Sequence, residues 1–112
     1  MRRTGPSAAT VALVRERDHH VCVHCGTTGH GLSTHHRRNR GMGGSRWAGI
    51  NLPTNLLTLC GDGTTGCHGW VTEHPTQARE LGLAVSLHAD PATVPVTTHT
   101  GTHLLSDLEA TR

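Results

Sequence analysis

Phenylalanine, tyrosine and lysine are all absent from this sequence, and its only large aromatics are Trp47 and Trp70. A chain of 112 residues has room for one compact domain, but without aromatic bulk its apolar core is thin. Fourteen glycines deepen the deficit, since fixing each backbone residue costs roughly 1–2 kcal/mol in conformational entropy. A domain held by hydrophobic burial alone is therefore excluded. A staple is needed, either disulfides or a metal.

Long apolar runs are missing too. No stretch approaches the ~20 residues of a membrane-spanning helix, so no membrane partner is expected. Met1-Arg2-Arg3 leads into Thr4-Gly5-Pro6 rather than into the apolar core of a signal peptide. The expectation is a single domain over residues 1–112, with 1–6 as a disordered leader, in a cytosolic, reducing setting. Paired cysteines there bind metal more often than they form disulfides.

The formal net charge is only +2, but it is polarised. Residues 1–46 carry eight arginines against Glu16 and Asp18, whereas residues 47–112 carry Arg79 and Arg112 against six acids. An arginine-only basic half suits phosphate recognition, although a compositional bias toward arginine codons produces the same pattern.

A coarse reading places a helix from Ser7, as N-cap, to about Asp18-His19-His20. A tight turn, Cys22-Val23-His24-Cys25-Gly26, follows. Residues 32–36 alternate like a short strand, and residues 37–44 form a basic, glycine-rich loop. Residues 51–60 read as an irregular turn and a second strand. Cys67-His68 opens a helix that Pro75 must kink or divide, into 67–73 and 76–81. Residues 94–98 and 102–108 read as a terminal hairpin. The fold class is α+β.

Cys22 and Cys25 stand at CxxC spacing, and Cys60 and Cys67 form a second pair with six residues between them. Four thiolates suit a tetrahedral, structural Zn²⁺. Unrelated buried thiols or a disulfide are the alternatives. His24, inside the first pair, is read as solvent-facing rather than as a ligand.

The order Cys22, Cys25, then His35-His36-Arg37-Arg38, then Arg40-Gly41-Met42-Gly43-Gly44, then Asn55 to Cys60, then Cys67-His68 resembles the HNH endonuclease family, most of all its small phage-encoded members. The likeness spans roughly residues 15–98 and is most specific over 22–75. It implies a zinc-stapled ββα-metal (His-Me finger) domain that hydrolyses DNA phosphodiester bonds, nicking or cutting both strands. It gives His35 and His68 the catalytic metal and His36 the general base. Asn55 takes the central position, holding the interstrand loop or the base. An unperturbed histidine, with a pKa near 6.5, is mostly neutral above pH 7 and needs little tuning for that task.

Two histidine ligands favour Mn²⁺, Ni²⁺, Co²⁺ or Zn²⁺ over Mg²⁺. A third ligand, present one helical turn after the final histidine in some relatives, is replaced here by Thr72. Glu73 and His74 are the nearby alternatives. Arg37, Arg38, Arg40 and Arg46 crowd the loop and are expected to contact the DNA backbone. The resemblance further implies a monomer working in the host cytoplasm beside a phage packaging terminase. A catalytically silent zinc module binding DNA or that terminase is the alternative.

Overall fold

The computed structural model describes residues 5–28, 31–39 and 48–106. Arg40, Arg46, Trp47 and residues 107–108 of the expected hairpin lie outside them.

The first helix, α1 (Ala8–Arg17), starts where expected because the Ser7 hydroxyl accepts from the Thr10 amide at 3.1 Å. The chain leaves it through two left-handed residues, His19 and His20, and turns back into the cysteine knuckle. Strands β1 (Leu32–His36) and β2 (Leu56–Cys60) pair antiparallel, with Leu32 opposite Cys60 at one end and His36 opposite Leu56 at the other. A 3-10 turn over Pro53–Asn55 leads into β2.

β2 is the buried element. Every residue in it is inaccessible, whereas β1 is half-exposed throughout. Leu57 and Leu59 enter the core with Cys22, Val23, Val71, Leu83 and Val96. The opposite face meets α1 through polar contacts: Arg15 donates to the Thr34 and Thr58 hydroxyls, and the Thr58 amide donates to Asp18. Asp18 is itself paired with Arg17 at 2.8 Å. Hydroxyls and an ion pair thus complete a face that the scarce apolar residues cannot fill.

Pro75 divides the helical segment rather than kinking it, giving α2 (Gly66–Glu73) and α3 (Pro75–Glu80). Proline lacks an N–H and is well placed at the first position of α3. The terminal hairpin is shorter than expected, with β3 (Val96–Thr98) pairing with β4 (Gly101–His103). Val94 is withheld from it because its amide donates to Pro91 O and its carbonyl accepts from Arg37.

Candidate metal centre and histidine cleft

The four cysteines converge at the Leu32–Cys60 end of the ribbon. All four are free thiols, and their sulfurs lie within 4.8 Å of one another. The Cys25 and Cys60 sulfurs are 3.7 Å apart. Four thiolates about 2.3 Å from one tetrahedral ion stand about 3.8 Å from each other, so the cluster has the size and donor chemistry to hold a metal ion such as zinc.

Local backbone chemistry explains the convergence. The Gly26 amide donates to Cys22 O at 2.8 Å, closing the knuckle, and the Cys67 amide donates to the Cys60 sulfur at 3.3 Å. Six residues separate Cys60 from Cys67, yet the loop between them folds on itself. Gly61 and Gly66 both have positive φ, and a Cβ on Gly61 would stand 2.1 Å from Thr65 O. Asp62 stitches the loop by accepting from the Thr64 amide and from the Thr64 and Thr65 hydroxyls.

The thiols differ electrostatically. Burial raises Cys22, but amide hydrogen bonds from Cys25, Cys60 and His24 outweigh it and lower its pKa overall. Burial and the neighbouring thiols push Cys67 up.

The second assembly lies at the other end of the ribbon. A cleft of about 540 Å³ is lined by both His35 and His36, together with Asn39, Thr72, Arg79 and His88. Adjacent strand residues point to opposite faces, and these two find different partners. His35 Nε2–H donates to Leu83 O at 2.7 Å, because a carbonyl can only accept. Its Nδ1 therefore keeps a lone pair. His36 Nε2–H donates to Asn51 Oδ1 at 2.8 Å, which likewise leaves Nδ1 its lone pair.

His68, on α2, does not line the cleft but sits beside His35, with ring centroids 5.2 Å apart at 70°. Its Nδ1 is 2.7 Å from the Ser33 hydroxyl, which also lies 3.3 Å from Leu59 O. With that hydroxyl donating to Leu59 O, it accepts from His68 and frees Nε2. Burial pushes His35 down to about 4, with nearby cationic groups adding to the shift and the Leu83 carbonyl opposing it. Burial also lowers His68, against the field of Asp62. Both rings are thus kept neutral, the state a metal ligand requires.

Asn55 is fully buried, accepting from the Arg38 amide at 2.7 Å and donating to Arg38 O and Ile50 O. It clamps the chain leaving β1 to the turn entering β2.

Arg37 is a correction. It is 1 % exposed, and its guanidinium donates to the carbonyls of Gly82, Thr54, Pro91 and Val94 at 2.7–3.0 Å. It binds the protein's own backbone and cannot reach DNA. Arg38 is half-buried and lines a separate depression with His88 and Asp90.

His24 is half-exposed and stands outside the thiol cluster. It stacks on Trp70 at 5.4 Å, and His74 stacks near Trp70 at 5.0 Å, its Nδ1 bonded to Trp70 O. His74 therefore serves packing. Thr72 donates to His68 O and lies along the cleft, while Glu73 is exposed.

Sequence reasoning missed Ser33, Asn51 and the Leu83 carbonyl. Asn51 had a readable signal, as a second asparagine in Asn51-Leu52-Pro53-Thr54-Asn55. A backbone carbonyl 48 residues away from His35 has none.

No family model, curated protein or solved structure matches the chain. No helix among the described residues is long and apolar enough to cross a membrane.

Proposed function

We propose that the chain is a metal-dependent DNA endonuclease of the HNH type, stapled by a structural Zn²⁺ on Cys22, Cys25, Cys60 and Cys67. One observation carries the reading: His35 and His36, adjacent on β1, line one cleft, and the His68 ring lies against His35 at 5.2 Å.

His36 is the general base. Asn51 holds its ring so that Nδ1 can take a proton from water as the water oxygen attacks phosphorus. His35 Nδ1 and His68 Nε2 would hold the catalytic divalent ion. Two imidazoles ligating one ion at about 2.1 Å have centroids about 5 Å apart, compatible with the 5.2 Å separation here. When bound, such an ion polarises the scissile phosphate and stabilises the departing 3′ oxygen. Asn55 keeps the loop carrying Arg38 against β2. The packaging terminase rests on the resemblance alone.

The test is nicking of supercoiled plasmid with Mn²⁺, Ni²⁺, Co²⁺, Zn²⁺ or Mg²⁺ supplied in turn. His36→Ala should keep the fold and zinc content while cleavage falls by roughly 10²–10⁴. A wild-type protein that binds DNA but nicks it with none of these ions is a silent zinc module instead. A His36→Ala variant as fast as wild type removes the general base from this histidine.

A further inference from the structure

The arginines sort by what their guanidinium groups touch. Arg15 bonds to two threonine hydroxyls, Arg17 to Asp18 and two carbonyls, and Arg37 to four carbonyls. Arg38 reaches Ala89 O at 3.4 Å and has a further partner. Arg79 differs. Among the described residues its side chain has no hydrogen-bond or ion-pair partner, and it lines the cleft that holds His35 and His36.

The division of the helical segment at Pro75 creates this placement. α3 sets off from α2 at that residue and carries Arg79 in its last turn. The surrounding wall suits an anion, because no aspartate or glutamate lines the cleft. The Ser86 hydroxyl and the His88 ring lie in that wall instead. An exposed guanidinium on the wall of such a cleft matches the oxygens of a phosphate group, which it can bind through two parallel N–H donors.

We propose that Arg79 is the phosphate-binding residue of the histidine cleft, gripping a backbone phosphate of the DNA substrate. The proposal rests on the nuclease reading for its choice of substrate. It replaces Arg37, which the fold uses internally. The recognised chemistry is a phosphate oxygen, so free inorganic phosphate is the competing source.

The experiment measures binding of a labelled 20-base-pair duplex by fluorescence anisotropy across a salt series, with no divalent ion added. Wild type, Arg79→Gln and Arg79→Lys are compared. Arg79→Gln should weaken binding about 5–20-fold at low salt and reduce the slope of log affinity against log salt by about 0.9, the value for one lost phosphate contact. Arg79→Lys should fall between, keeping the charge without the fork. Thermal stability and zinc content should not move.

Unchanged affinity and salt slope in Arg79→Gln overturn the proposal. So does a wild type that binds inorganic phosphate through Arg79 but no duplex. Because no chemistry is needed, the two readings separate. A protein that never nicks DNA but loses affinity in Arg79→Gln keeps this assignment and loses the nuclease. An active nuclease indifferent to Arg79→Gln does the reverse.

Discussion

The two ends of the β1–β2 ribbon are held together in opposite ways. At the Leu32–Cys60 end, four thiols converge on one another, and a metal ion is the natural partner for all of them. At the His36–Leu56 end, His35 and His36 line one cleft. Leu83 O and Asn51 hold one ring each, and the buried Arg37 clasps four carbonyls from three segments around them. The first end is a candidate staple, closed on itself. The second is a frame around an open cleft lined by His35 and His36.

The largest effect expected from this contrast is at the staple. Cys60→Ser removes one ligand and a core side chain together, and metal binding in so thin a domain is folding free energy. The variant should lose cooperative unfolding, and elemental analysis should find less than the roughly one zinc per chain expected of wild type. A Cys60→Ser protein with wild-type melting behaviour would show that the cluster is not what holds this end.

Next in size is Arg37→Met. It leaves four buried carbonyls without their charged donor, and hydrogen bonds to charged groups contribute about 1.5–3 kcal/mol each. With partial relaxation, a loss of about 3–5 kcal/mol is expected by urea denaturation, with zinc content kept. Hydrogen exchange should accelerate at residues 82–94 and leave the knuckle at 22–27 slow. Equal acceleration at both ends would erase the distinction between staple and frame.

The smallest effect concerns acid. His35 has a folded pKa of about 4 against an ordinary 6.5, so between those values the unfolded chain holds more protons. Stability is full above about pH 6.5 and falls as the pH drops toward 4, by about 2 kcal/mol at pH 5. His35→Asn should remove this component. Urea midpoints for both proteins between pH 7 and pH 5, with no catalytic ion added, supply the comparison. Identical pH slopes would mean that His35 is not held neutral by burial.

Much of the scaffold was legible because it depends on local chemistry. The Ser7 cap, the CxxC turn and the strand at residues 32–36 follow from short-range rules of capping, turn geometry and alternation, and so does the break at Pro75. The partners of the side chains were not legible in the same way. Arg37 and Arg38 are neighbours of identical type, yet one is inside the fold and the other is half-exposed. Nothing within a few residues of either distinguishes them. Trp70 is one of only two large aromatics in the sequence, and its stacking beside His24 and His74 depends on how the knuckle meets α2.

By itself, the sequence determined which four cysteines can supply a staple, through their number and spacing, which no packing can change. The histidines it singled out through a resemblance in motif order. Only the tertiary structure decided which ring nitrogens stay basic, which arginine the fold uses internally and which it leaves facing the cleft. Hydrogen-bond partners such as Leu83 O lie tens of residues away along the chain, and they meet their donors only after the ribbon, α2 and α3 have packed. Arg79 therefore reads in the sequence as one more surface charge. It becomes a candidate ligand contact only when the break at Pro75 carries it to the cleft beside His35 and His36.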